Sequence, residues 1–329
     1  MIRRLLAASV FLVVLAIFAG GIAAWFETRN FAAPGRAAEA VQVIIAPGTP
    51  LPRIAAELEA AGVVDNALLF RIGVIRRNAA TLLKAGEYEF PAGASMAVVL
   101  DMLVNHRAIL HRITIAEGLT SAMVLDVLRA DPVLTGDLGE APPEGSLLPE
   151  TYLFERGATR AELLARMRAS QESVLAGLWP ARRADLPFGT MEEAIILASI
   201  VEKETAIAAE RPRIAAVFVN RLKRGMRLES DPTIIYGLTG GAPLGRGLRV
   251  SELERPNPYS TYQIDGLPPT PICNPGRDSI AAVLNPPDSD DLFFVADGGG
   301  GHAFARTLAE HERNVAAWRR VERARAAAP

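Results

Sequence analysis

The sequence contains 329 residues, of which 50% are hydrophobic, and its 35 basic and 37 acidic side chains leave a net charge of −2. This near balance, without a large basic block, argues against nucleic acid as a partner. The length exceeds that of one ordinary domain, so we expect two folded units. Cys273 is the only cysteine, which excludes an intramolecular disulfide. The four histidines lack metal-ligand spacing with other donors, so we predict no metal and no cofactor.

The N-terminus has the composition of a membrane anchor. Arg3 and Arg4 precede an uncharged run over residues 5–25, which as a helix rising about 1.5 Å per residue can cross a bilayer. The two arginines predict that residues 1–4 form a cytoplasmic tail and that the body of the chain lies outside the cytoplasmic membrane. The alternative is a signal peptide cleaved at residues 19–21 (AGG). Signal peptides usually have a shorter apolar region, so the uncleaved anchor is favoured.

A linker is predicted over residues 26–40, and a strand–glycine–helix pattern then occurs three times. In each copy an alternating stretch leads to a turn glycine and then to a helix with apolar residues at helical spacing. The three glycines are Gly48, Gly93 and Gly118. The recurrence indicates three related structural units.

The rest of the chain alternates predicted helices with polar loops. The helices are expected at 161–178, from residue 190 onward, at 214–222, 279–284 and 307–327, with a buried strand at 292–296. Asp231-Pro232 predicts a turn, because a residue before proline disfavours helical geometry. The proline-rich segment 262–276 is predicted to be a stiff loop, and such loops are usually functional. Residues 298–301 are glycine-rich but lack the strand–GxGxxG–helix context of a phosphate loop.

The stretch 190–205 (TMEEAIILASIVEKET) contains the candidate catalytic group. Thr190 and Glu193 have the spacing of a capping box, which predicts that a helix begins there. At about 100° per residue, Glu204 falls on the apolar face of this helix, whereas Glu202 projects from nearly the opposite side. A carboxylic acid on a buried apolar face has a raised pKa, as a general acid working near neutral pH requires. The alternative is that both glutamates simply form the solvated end of a core helix.

Several segments together resemble the endolytic murein transglycosylases of the MltG, or YceG-like, family. In chain order they are GSLLPETYLF (145–154), ASIVEKET (198–205), VFVNRL (217–222), SDPTIIYG (230–237), YSTY (259–262), GLPP (266–269), NPG (274–276) and FVADG (294–298). Glu150 stands where the family often has Asp, and Thr270 where it often has Gly. Neither departure touches the two glutamates.

The resemblance implies an α+β protein with one transmembrane helix at residues 5–25, a small LysM-like module at residues 41–105 and a larger mixed α/β catalytic domain at residues 106–329. It implies a single-pass protein of the inner membrane whose catalytic domain lies on the outer side and cleaves peptidoglycan glycan strands. Peptidoglycan synthases are candidate partners. The pair Glu204-Thr205 is similar to the catalytic Glu-Ser pair of other lytic transglycosylases, which favours Glu204; Glu202 is the runner-up.

The expected activity is non-hydrolytic cleavage between N-acetylmuramic acid and N-acetylglucosamine. It leaves 1,6-anhydro ends and terminates the polymerisation of nascent strands. The candidate sugar or peptide contacts are Asp231, Thr233, Tyr262 and Asn274. Each has a structural alternative, respectively as a turn cap, a helix cap, a packing residue and a loop support. Two rivals remain open: a hydrolytic muramidase with a second carboxylate from Asp231 or Glu202, and a noncatalytic envelope scaffold that binds glycan.

Overall fold

The computed structural model describes the backbone of residues 2–326 and the side chains of residues 11–22 and 24–325. Met1 of the predicted cytoplasmic tail and residue 327 of the predicted terminal helix lie outside the described residues. The fold mixes helices and strands, and the chain divides into two compact units. The first contains the chain up to His111 together with Leu153–Arg156; the second contains Arg112–Tyr152 and the chain from Gly157 onward.

The first helix, α1 (Ile2–Ala32), includes an apolar stretch with the length and composition of a membrane span. From Phe11 to Ala32 the hydropathy is 1.9 and only 6% of the stretch is buried. The helix continues beyond residue 25, through half of the predicted linker. It does so because its last turns have partners: the buried ring of Phe31 stacks on Phe70 at 6.1 Å between centroids.

The first unit has a core of its own beneath one antiparallel strand pair. Val41 lies opposite Phe90 and Ile45 opposite Gly86 in this pair. Three helices pack around it, and their apolar faces fill the core. The elements are β1 (Val41–Ile45), α2 (Leu51–Ala60), α3 (Ala67–Arg76), β2 (Gly86–Phe90) and α4 (Met96–Val104). The LysM-like assignment of this region stays a prediction.

The third copy of the pattern is formed by β3 (Leu110–Thr114) and α5 (Ser121–Ala130), and β3 pairs with β4 (Thr151–Glu155). All three predicted copies are confirmed. Their turn glycines, Gly48, Gly93 and Gly118, have φ angles of 77°, 67° and 77°. Side chains other than glycine rarely adopt this left-handed conformation, so the recurring glycine has a direct steric cause.

The second unit is built around one central helix, α7. Its nine consecutive residues from Ala194 to Glu202 are buried, and α8 and α11 pack against it. A helix buried on all sides is apolar all round, and residues 194–201 of α7 are apolar apart from Ser199. The helices of this unit after α5 are α6 (Arg160–Leu178), α7 (Met191–Glu204), α8 (Arg211–Lys223), α9 (Asp231–Thr239), α10 (Val250–Glu254), α11 (Arg277–Leu284) and α12 (Leu308–Ala326).

Two local predictions were wrong. Helix α9 begins at Asp231, where a turn was expected, because Pro232 falls in the first helical turn and its missing N–H costs no hydrogen bond there. The strand β5 (Phe293–Ala296) is half-buried where a buried strand was expected, and it has an antiparallel partner that was not predicted, β6 (His302–Ala305). The glycine run 298–301 is the loop of this hairpin.

Candidate active site

Helix α7 begins and ends at defined hydrogen bonds, which fixes the position of its last residue, Glu204. The Thr190 hydroxyl accepts the N–H of Glu193 at 3.2 Å, and the Glu193 carboxylate accepts the N–H of Thr190 at 3.0 Å, so the predicted capping box is confirmed. At the other end Thr205 is extended, with φ −143° and ψ 136°. Its hydroxyl accepts the N–H of Ile207 at 3.0 Å, which turns the chain away from the helix axis.

Glu204 lies half-buried at the end of α7. The hydroxyl of Ser230 donates to its Oε1. Burial raises the pKa of Glu204 to about 7, and the nearby negative charge of Asp231 adds to this effect. The Ser230 hydrogen bond and the positive charges of His302 and Arg221 oppose it. The raised pKa predicted for Glu204 is therefore confirmed, and burial is its main cause.

Glu202 has the opposite environment on the same helix, because its buried carboxylate is fully engaged. Its Oε1 accepts from Arg211 Nη2 at 3.0 Å, and its Oε2 accepts from the Gly276 N–H at 2.9 Å and the Ser279 hydroxyl at 2.8 Å. Arg211 also pairs with Glu117 at 2.7 Å. A buried carboxylate with a paired cation and two further donors is held firmly in place.

Tyr262 and Asp231 stand beside Glu204. The Tyr262 hydroxyl donates to Asp231 Oδ1 at 2.8 Å. Burial raises the pKa of Tyr262, and so do the neighbouring charges of Asp231 and Glu204, so the phenol keeps its proton. The guanidinium of Arg227 donates to the Tyr262 carbonyl at 2.9 Å and holds this part of the loop.

Thr233 and Asn274, the other two predicted substrate contacts, are fully buried. The Thr233 hydroxyl donates to the Ser230 carbonyl at 2.6 Å and lies 3.0 Å from the Thr261 hydroxyl. Asn274 Oδ1 accepts the N–H of Leu147 at 3.0 Å. Since neither side chain has exposed surface, neither can touch a sugar in this structure. Thr233 instead fixes the backbone that presents Ser230, and Asn274 ties together segments distant in sequence.

Sequence reasoning missed Ser230 and the pair formed by His302 and Glu210. His302 Nδ1 lies 2.7 Å from Glu210 Oε2, and the His302 N–H donates to Glu210 Oε1 at 2.9 Å. The Thr205 hydroxyl, one residue after Glu204, also donates to Glu210 at 3.3 Å. Ser230 could have been found as the polar residue before the Asp-Pro helix start. The pairing of His302 depends on the unpredicted strand β6.

Among the residues that the structure describes, no group of three or more His, Cys, Asp or Glu side chains could hold a metal ion. The side chains that meet near Glu204 supply a carboxylic acid with a pKa near neutrality, a hydroxyl, a carboxylate and a phenol.

Comparison with known proteins identifies the family of this chain. The family described as "YceG-like family" matches residues 43–317, and the chain belongs to it. An endolytic murein transglycosylase of Bacillus subtilis is 36% identical over 172 residues, which are 52% of this chain and 47% of the relative. An endolytic murein transglycosylase of Streptococcus pneumoniae is 29% identical over 324 residues, covering 84% of this chain and 58% of the relative.

The chain thus spans about half the length of the curated relatives it matches. A crystal structure of a YceG-like protein from Listeria monocytogenes is 28% identical and has a TM-score of 0.51; the match covers 84% of this chain and 99% of that structure.

The contrast between the two glutamates predicts a difference in stability. Glu202→Gln removes the more buried of the two carboxylates that pair with Arg211, so we expect the free energy of unfolding to fall by on the order of 3 kcal/mol. Glu204→Gln removes no ion pair and should lower it far less. Denaturant unfolding of both variants at pH 6 measures the difference. Equal losses would show that Glu202 does not have the structural role described here.

Proposed function

We propose that this chain is a lytic transglycosylase that cleaves peptidoglycan glycan strands between N-acetylmuramic acid and N-acetylglucosamine. The observation that carries the proposal is the carboxylic acid of Glu204, whose pKa of about 7 keeps a large share of it protonated near neutral pH. Membership of the YceG-like family, and the names of the relatives, support the substrate class. A glutamate at a solvated helix end would not have a raised pKa. The raised pKa of Glu204 therefore argues against the alternative of a noncatalytic scaffold.

In this mechanism Glu204 acts first as acid and then as base. Its proton goes to the oxygen of the glycosidic bond, the bond to C1 of N-acetylmuramic acid breaks, and positive charge develops at that carbon. The Glu204 carboxylate then takes the proton from the C6 hydroxyl of the same sugar, and O6 bonds to C1. The product has a 1,6-anhydro ring, and no water is consumed. The attack is intramolecular and so has a proximity advantage.

The neighbours of Glu204 fit supporting roles. Ser230 binds Oε1 of Glu204 and fixes the carboxyl group; among the described residues, Oε2 makes no hydrogen bond and is the oxygen that meets the substrate. The Asp231 carboxylate adds negative charge near the position where positive charge develops at C1. Tyr262 holds Asp231 in place through the hydrogen bond of 2.8 Å.

The proposal extends to location and physiological role. Arg3 and Arg4 before the apolar part of α1 favour a single-pass protein of the inner membrane whose second unit lies on the outer side. Endolytic cleavage there would terminate glycan polymerisation on nascent strands, with peptidoglycan synthases as partners. The relatives' name, endolytic murein transglycosylase, supports cleavage within strands.

One rival has an observation in its favour. Asp231 lies close enough to raise the pKa of Glu204, and two neighbouring carboxyl groups are what a hydrolytic glycosidase uses. The two mechanisms differ in product: a hydrolase leaves a reducing N-acetylmuramic acid, and a transglycosylase leaves the 1,6-anhydro sugar.

Substitution of the catalytic acid tests the mechanism. Glu204→Gln keeps the shape of the side chain and removes the transferable proton, so we expect cleavage of purified glycan strands to fall by at least about 10²–10⁴-fold. Mass analysis of the wild-type digest should give 1,6-anhydro-N-acetylmuramic acid ends. Glu172→Gln, at an exposed position on α6, is the matched control and should keep full activity. Reducing ends as the main product would favour the two-carboxylate hydrolase instead.

The pH dependence of cleavage should report the pKa of Glu204. The active form is protonated, so kcat/KM should fall as pH rises through about 7. The Ser230 hydrogen bond lowers this pKa, because it stabilises the ionised carboxylate. Ser230→Ala should therefore move the falling limb of the pH profile to higher pH, whereas Ser289→Ala, a change away from Glu204, should leave it in place. An unchanged limb in Ser230→Ala would mean that another group controls the profile.

A further inference from the structure

A second pocket of the same unit lies beside the N-terminal half of α7. Its volume is about 490 Å³, which is in the range of small-molecule sites. It is bounded by the start of α7, by α9 and by two loops. The residues that line it include Ile195, Tyr236, Tyr259, Pro271 and Glu144.

Two tyrosines form the aromatic wall of this pocket. The rings of Tyr236 and Tyr259 meet edge to face, with centroids 4.8 Å apart and an angle of 64° between the planes. Asn257 fastens the loop of Tyr259 to α9, because its Nδ2 donates to the Ile234 carbonyl at 3.2 Å and its Oδ1 accepts the Tyr259 N–H at 2.9 Å. A Cβ at Gly237 would lie 2.0 Å from Asn257, so only glycine permits this close contact. The aromatic wall is thus held in a fixed position.

Glu144 and the turn that follows it supply the polar wall. Glu144 Oε2 accepts the N–H of Ser121 at 2.9 Å, and burial raises the pKa of Glu144. The chain turns at Gly145, where φ is 76° and a Cβ would lie 2.5 Å from Ile195. On the far side, the Tyr259 hydroxyl lies 2.8 Å from the Thr270 hydroxyl.

The pocket and Glu204 share two helices. Ile195 precedes Glu204 by nine residues on α7, a distance of about 13 Å along the helix axis. Tyr236 follows Asp231 by five residues on α9, a distance of about 7 Å along the axis of that helix. The spacings place the pocket residue and the site residue on different faces of each helix, so the pocket is separate from the Glu204 site. It lies farther from Glu204 than the neighbouring sugar of a strand cleaved there.

We propose that this pocket is a distal subsite that binds an N-acetylhexosamine unit of the glycan strand remote from the cleaved bond. Aromatic rings accept the apolar C–H face of a pyranose, and the Glu144 carboxyl group and the two hydroxyls can bond its acetamido and hydroxyl groups. Binding energy from a remote part of the substrate helps to position the reacting bond. The proposal rests on the proposed function, since it requires a glycan strand at Glu204.

Binding to strands of different length tests the subsite without requiring catalysis. In the Glu204→Gln background of the full chain, we expect peptide-free glycan strands of several repeats to bind more tightly than a single disaccharide repeat. Tyr259→Ala should weaken binding of the long strands by about five- to thirtyfold, as loss of a buried aromatic contact does, and leave the short ligand unaffected. Tyr259→Phe, which keeps the ring, should retain most of the affinity. Trp318→Ala, an aromatic truncation on α12, is the matched control and should change neither.

The possible results separate the two proposals. If strands of neither length bind the Glu204→Gln protein, the substrate class proposed for the enzyme is wrong. If long strands bind but Tyr259→Ala leaves their affinity unchanged, or weakens both lengths equally, there is no distal sugar subsite. If the effect of Tyr259→Ala occurs only with strands that carry stem peptides, the pocket binds peptide and the sugar assignment is overturned.

Discussion

The site depends on burying a carboxyl group at the end of a core helix without giving it a cation. Helix α7 carries two glutamates in its last turn, and the fold treats them differently. Glu202 receives Arg211, a backbone N–H and the Ser279 hydroxyl, which offset the loss of hydration of its charge. Glu204 receives one neutral hydroxyl, from Ser230, so burial dominates and the proton stays bound near neutral pH. Two residues of the same type thus become a structural anion and a candidate acid.

The rest of the second unit keeps this difference in place. The capping box at Thr190 fixes where α7 begins, and packing against α8 and α11 fixes its rotation. Thr233 holds the backbone of Ser230, and Ser230 in turn holds the Glu204 carboxyl group. Asn274 bonds the N–H of Leu147 across 127 positions of sequence. These buried polar side chains have no free surface, and their contribution to a reaction is to determine where the exposed groups lie.

Local patterns in the sequence predicted more of the fold than of the site. The capping box and the three turn glycines are local signals, because each depends on residues within one turn of chain, and the structure has them. The helical face of Glu204 was also inferred from local residues, and that inference predicted the raised pKa of this carboxyl group. Burial of Thr233 and Asn274 was not predictable, since it depends on which distant segments cover them.

The remaining errors concern one helix start, one helix end and one hairpin. The helix start at Asp231 required knowing that Pro232 falls in the first turn, where its missing N–H is harmless. The continuation of α1 to Ala32 depends on Glu27, which pairs with Arg76 and Arg77 nearly fifty positions later. The place of His302 depends on a hairpin whose second strand has only four residues. In the last two cases a tertiary contact, which the local residues do not reveal, decides the structure.

Direct titration of Glu204 tests the central claim most closely. Carboxyl carbons of glutamate labelled with ¹³C can be followed by NMR across the pH range, and comparison with Glu204→Gln assigns the resonance that disappears. The account predicts one glutamate that titrates at about pH 7 and is absent from the variant. A Glu204 resonance that titrates near the ordinary value of about 4.3 would contradict it, because the group would then be ionised at neutral pH and unable to act as the acid.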